Sequence, residues 1–135
     1  MPKKKEVVNN IVKNKPIIGI VDDHIQIAVS VCNRLENEGF KTFQIYSGDD
    51  AEEATKKNNP DILIVDVNVD RGGINGYQVA EKLPKTKILF STGSGYDEKR
   101  VSKMKNIIGI IEKPYDTTKL LPILRKELKI PEINN

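Results

Sequence analysis

Four stretches carry residues able to do chemistry, and each directly follows an apolar run. Asp22-Asp23 follows Ile17-Ile-Gly-Ile-Val21, and Asp66 ends Ile62-Leu-Ile-Val. Ser91-Thr92-Gly93 follows Ile88-Leu-Phe, and Lys113-Pro114 follows the run that starts at Ile107. Three carboxylates brought to one rim repel one another, so they require a cation. An all-carboxylate donor set favours a hard ion, Mg²⁺, which keeps waters that a phosphate can displace. Lys113 adds a positive charge and Thr92 a hydroxyl donor, both suited to phosphoryl oxygens. A carboxylate nucleophile, a metal, a lysine and a hydroxyl are the parts of phosphoryl transfer, a reaction of positioning and charge neutralisation.

These residues meet only if the apolar runs are neighbouring parallel strands. Residues 16–21, 61–67, 87–91 and 107–111 are short continuous apolar segments, as strands buried on both faces should be. Residues 41–46 alternate Phe43 and Ile45 with polar neighbours, which predicts a strand with one wetter face at the sheet edge. Between the strands the period changes. Ile25, Ala28, Val29, Cys32 and Leu35 follow helical spacing, closed by Gly39. Helices are also expected over 49–57, with Ala51 and Ala54 inward, over 77–83, and over 97–105, a polar segment with only Val101 and Met104 apolar. A final helix capped by Asp116 carries Leu120, Leu121, Leu124 and Leu128, with a kink or late start expected at Pro122. Five strands alternating with five helices predict an α/β fold, a doubly wound five-stranded parallel sheet with helices on both faces. Ligands in such sheets bind beyond the strand carboxyl ends, where the four stretches lie.

The chain has 135 residues, 38% hydrophobic and 30% charged. That length fits one domain able to bury a core without disulfides or metals. No apolar run is long enough to span a bilayer, and no apolar segment of a secretory signal follows the N-terminal lysines. One cysteine, Cys32, excludes an intramolecular disulfide and fits a reducing, cytoplasmic compartment, and one histidine, His24, excludes a His-based zinc cage. The net charge is +3, with five lysines against Glu6 in residues 1–15. That stretch reads as a basic N-terminal extension aiding solubility, residues 16–130 as the domain and 131–135 as a tail. Without interleaved aromatics or glycines, the extension does not read as a nucleic-acid binder, and no membrane partner is expected.

The motifs taken together resemble the response regulator receiver domain of two-component signalling, of the chemotaxis type, over about residues 16–130. Those motifs are Asp22-Asp23, Asp66, Asn75-Gly76 opening the third helix, Thr92-Gly93 and Lys113-Pro114. The resemblance implies the flavodoxin-like strand order 2-1-3-4-5. It implies Asp66 as phospho-acceptor, Asp23 as direct Mg²⁺ ligand, Asp22 as a ligand acting largely through water, and the Asn68 backbone carbonyl as a further ligand. Thr92 resembles the hydroxyl that follows the phosphoryl group, and Lys113 the lysine that contacts it, with a cis peptide between Lys113 and Pro114. The implied function is a stand-alone, cytoplasmic receiver taking a phosphoryl group from a histidine kinase or histidine phosphotransfer protein. It is a phospho-acceptor rather than a turnover enzyme, and it signals to a separate target protein through its fourth strand, fourth helix and fifth strand. A homodimer is left open.

Three features depart from the family pattern. The segment from Asp66 to Gly76 is about two residues longer, with Asp70 where proline is common and Gly72-Gly73 beside it. Ile110 stands where an aromatic switch residue is usual, and Ser94 stands two residues after Thr92. Competing readings fare worse. A receiver-like binding module needs neither the acids nor the lysine, and a free-substrate enzyme is the third class. A haloacid-dehalogenase-type nucleophile expects the first strand and a Thr where Arg71 stands. Gly93-Ser94-Gly95 lacks P-loop spacing. His24 reads as a surface residue at a helix start, and Cys32 as an inert core thiol on a stripe with Val29 and Leu35.

Overall fold

A computed structural model describes residues 15–69 and 73–131. The basic extension up to residue 14, the loop residues 70–72 and the tail from 132 lie outside the described residues. Strands β1 (Ile17–Val21), β3 (Ile62–Asp66), β4 (Ile88–Thr92) and β5 (Ile107–Glu112) form on the four apolar runs, and β2 (Lys41–Ile45) on the alternating one. Rich in β-branched residues, these segments lie flat on a pleated sheet, where their side chains pack on both faces. All neighbours pair in parallel, in the order β2-β1-β3-β4-β5. The doubly wound fold and its 2-1-3-4-5 order are therefore as the sequence leads one to expect, and β2 is an edge strand.

Alternation divides each central strand between two cores. Ile18, Ile20, Ile62 and Ile64 meet Ala28, Cys32 and Leu35 of α1 (Ile25–Asn37) and Leu120 and Leu124 of α5 (Thr117–Leu128). On the other face Leu63, Val65, Ile88 and Phe90 meet Ala51 of α2 (Ala51–Asn58) and Val79 and Ala80 of α3 (Gly76–Lys82). Gly19 keeps β1 level there, since a Cβ would collide with the Phe43 ring and Leu63. Local signals end the elements. Gly39 takes φ +99 just beyond α1, a left-handed conformation open to glycine. Asn75 and Gln78 form a reciprocal capping box on α3, and Asp116 caps α5 through the Thr118 amide.

Three expectations need correction. The buried stripe of α1 is Ala28, Val31, Cys32 and Leu35, while Ile25 and Val29 are exposed. Both sets follow helical spacing, and only the position of the sheet decides between them. The fourth helix, α4, spans Glu98–Ser102 rather than 97–105. Asp97 caps it by accepting from the Arg100 amide, and none of its residues is buried, so little packing extends it. Of the kink or late start expected at Pro122, the late start does not occur, since α5 runs from Thr117 through Pro122 to Leu128. Pro122 and Thr118 are exposed, so the carbonyl that loses its amide partner faces solvent.

Candidate functional site

Parallel pairing sets β1, β3, β4 and β5 with their carboxyl ends at one edge. Val21 is in register with Val65, Asp66 with Ser91, and Thr92 with Glu112, so the residues that follow Val21 and Glu112 join Asp66 and Thr92 on one rim. Backbone bonds hold the strand exits. The Asp22 amide donates to the Ile45 carbonyl at 2.9 Å and the Lys113 amide to the Thr92 carbonyl at 2.8 Å. Asp22 is fully buried, and Asp66 and Thr92 are each 3% exposed.

Lys113 is the hub of this rim. Its ammonium lies 2.8 Å from Asp22 Oδ2 and 3.1 Å from Asp66 Oδ2. The peptide joining it to Pro114 is cis. Burial pulls the ammonium toward its neutral form, yet hydrogen bonds and Coulombic attraction from Asp22 and Asp66 outweigh that, and its pKa sits above the ordinary lysine value. Asp66 Oδ1 accepts from the Asn68 amide at 3.0 Å, and Asn68 itself is exposed in the turn two residues on. Asp22 Oδ1 accepts from the His24 amide at 2.9 Å and lies 3.0 Å from His24 Nδ1. The Thr92 hydroxyl turns away from the carboxylates. It donates to the Gly95 carbonyl and accepts from the Ser94 amide at 3.3 Å.

Asp23 differs from its neighbours. Its Oδ1 is buried without a hydrogen-bond partner, because His24 Nδ1, though 3.3 Å away, is not aligned to donate to it. Asp22, Asp23 and Asp66, with His24, each offer a ligand atom within 4.8 Å of the others. Three carboxylates with one ammonium leave uncompensated negative charge in a buried setting, and one oxygen lacks any donor. Oxygen ligands, excess negative charge and an orphaned acceptor together fit a hard divalent cation such as Mg²⁺.

Sequence reasoning missed Tyr115 here, and it placed Ser91 on this rim without giving it a role. The Tyr115 hydroxyl donates to Asp22 Oδ2 at 3.2 Å and lies 2.8 Å from Ser91 Oγ. The signal for Tyr115 in the sequence was position alone, three residues after a strand that reaches the rim. His24 is exposed at the start of α1 as expected, but its ring also touches Asp22. Ile110 does not reach the carboxylates. With Thr92, Tyr96 and Lys113 it lines a hollow of about 450 Å³ beside the loop 93–96.

Residues 18–125 match the model of the response regulator receiver domain family. The chain is 29% identical over 121 residues to the phosphate regulon transcriptional regulatory protein PhoB of Rhizobium meliloti, covering 84% of this chain and 52% of that protein. It thus spans about half the length of that relative. It is 24% identical over 116 residues to sporulation initiation phosphotransferase F of Bacillus subtilis, covering 82% of this chain and 92% of that one. A solved response regulator receiver domain from Methylobacillus flagellatus shares the fold with a TM-score of 0.74 at 23% identity, covering 84% of this chain and 99% of that one.

Proposed function

The chain belongs to the response regulator receiver domain family, a family of phospho-acceptor signalling domains, and from that premise we propose that Asp66 accepts a phosphoryl group from a phosphohistidine donor in a Mg²⁺-dependent reaction. The observation that carries this reading is the Lys113 ammonium bridging Asp22 and Asp66 among carboxylates that outnumber it.

An Asp66 carboxylate oxygen attacks phosphorus in line with the donor nitrogen. The phosphorus–nitrogen bond breaks, its electron pair stays on the imidazole, and an acyl phosphate forms on Asp66. Asp66 needs no base, since a carboxylate is the nucleophile as it stands. Asn68 orients it through the amide bond to Oδ1. Lys113 offsets the charge gathering on the phosphoryl oxygens, and Thr92 supplies a hydroxyl once it releases the Gly95 carbonyl. Asp23, Asp22, Asp66 and the Asn68 carbonyl are the groups that would hold Mg²⁺. When bound, the ion neutralises the carboxylates and the incoming phosphoryl oxygens.

Turning Thr92 inward pulls on the loop 93–96 and so on α4. We assign the output to the β4–α4–β5 face, read by a separate target protein, with a histidine kinase or histidine phosphotransfer protein as donor. The domain proper is residues 16–130. Treatment with acetyl phosphate or beryllofluoride and Mg²⁺ tests the reading. Stable modification at Asp66, absent in Asp66→Asn, is expected; equal labelling of Asp66→Asn, or turnover without a stable adduct, would overturn it.

A further inference from the structure

Tyr115 has no part in the chemistry above, yet its hydroxyl reaches the site. It lies 3.2 Å from Asp22 Oδ2, the same oxygen that the Lys113 ammonium approaches to 2.8 Å. Ser91 Oγ is 2.8 Å from the Tyr115 oxygen. A carboxylate only accepts, so the phenol proton points at Asp22 and the Ser91 hydroxyl donates to Tyr115. Ser91 and Asp22 are fully buried, and the Tyr115 ring packs on the core between the sheet, α1 and α5. The three groups therefore form a directed chain, Ser91 to Tyr115 to Asp22, held in place by packing.

Lys113 sits closer to Asp22 than to Asp66, at 2.8 against 3.1 Å. To serve a phosphoryl group on Asp66, its ammonium must turn from Asp22 toward the new oxygens. Asp22 Oδ2 then loses its stronger donor in a place shut off from solvent, and a buried acceptor without a partner is unfavourable. Tyr115 is the group already seated on that oxygen.

We propose, on the premise that Asp66 is the acceptor, that Tyr115 is a positioning residue: supported by Ser91, it holds Asp22 Oδ2 and so frees Lys113 for the phosphorylated Asp66. Tyr115 touches neither the nucleophile nor the incoming group and acts wholly through Asp22 and Lys113. A phenol keeps its proton throughout the neutral range, so Tyr115 can donate to Asp22 there.

The test uses the full chain, with Mg²⁺ titrated alone and beryllofluoride titrated at saturating Mg²⁺ into wild type, Tyr115→Phe and Ser91→Ala. Mg²⁺ binding leaves Lys113 where it is; beryllofluoride, a phosphoryl mimic on Asp66, requires its transfer. Tyr115→Phe should weaken beryllofluoride binding about tenfold, the scale of one hydrogen bond, and Ser91→Ala about two- to threefold. Mg²⁺ affinity should stay within about twofold of wild type in both, a split that loss of packing alone would not produce. Beryllofluoride affinity unchanged in Tyr115→Phe, or both affinities falling in step with the melting temperature, would overturn the inference. If Tyr115→Phe does not fold, Ser91→Ala decides by the same split. Folded wild type that takes no beryllofluoride overturns the assignment of Asp66 instead, and with it the premise.

Discussion

At Lys113 one ammonium serves two buried carboxylates, and its removal exposes how much of the rim depends on it. Lys113→Met keeps the stem but leaves Asp22 and Asp66 facing each other without a cation. Breaking such a buried pair costs about 3 kcal/mol, or roughly 10 °C in melting temperature in metal-free buffer, and added Mg²⁺ should recover part of it. Calorimetry in both buffers checks this, and an unshifted melt would show that the carboxylates do not depend on Lys113. The same contact sets an alkaline limit. Burial opposes the charged lysine, but Asp22 and Asp66 raise its pKa above the ordinary 10.5. The unfolded chain therefore gives up this proton first. The stability from Lys113 is complete below the unfolded value and is lost as pH climbs through the folded one. Wild type should lose melting temperature above pH 10.5 more steeply than Lys113→Met, and equal slopes would contradict the assignment. Asp23, with its unpartnered oxygen, belongs at the same scale. Asp23→Ala should abolish the Mg²⁺-dependent melting shift, worth about 1.4 kcal/mol in wild type at tenfold excess over Kd.

Among the elements, α4 is the one with least to hold it. It has five residues, none buried, with Val101, and Met104 just beyond its end, resting half-buried on the core. Its other anchors are on the surface. Arg100 makes two hydrogen bonds to Glu81 at 2.7 and 2.9 Å and stacks 5.0 Å over the Tyr77 ring, while the Asp97 amide donates to the Tyr77 hydroxyl at 2.8 Å. The pair holds the Glu81 carboxyl below its usual range and Arg100 above its own, through the hydrogen bonds first. An exposed pair of this kind contributes at most about 1 kcal/mol, so α4 remains the element most easily displaced. Ile110, β-branched and stiff at χ1, offers no ring to follow Thr92. Amide exchange with and without beryllofluoride should therefore change mainly over residues 92–106 and little at 108–112. A quiet α4 with a large change at 108–112 would reverse this order of events.

For the molecule as a whole, charge is arranged against function at two places. The rim of carboxylates is negative, while Lys99, Lys103 and Lys105 lie exposed around α4. A target that docks there through acidic side chains should be steered by that field and weakened by salt, since exposed charges are screened over about 8–10 Å at ordinary ionic strength. Binding measured from low to high salt should lose affinity steadily, and an indifferent profile would place the docking surface elsewhere. Among the described residues no helix is long and apolar enough to cross a membrane.

Much of this architecture is legible in the amino-acid sequence. Continuous apolar runs can be strands only in a sheet covered on both faces, and right-handed crossovers then send every strand the same way. Asp22, Asp23, Asp66, Thr92 and Lys113 had to share a rim because each follows or ends such a run. What the tertiary structure alone decided are contacts between residues far apart in the chain. Tyr115 meets Asp22 across 93 positions, and Lys113 meets Asp66 across 47. Periodicity reports which face a residue occupies, but a hydrogen bond depends on register, twist and rotamer together. For the same reason Ile25 and Val29 read as core in the sequence: their spacing suits a buried stripe, and only the seat of α1 on the sheet turned Val31 inward in their place.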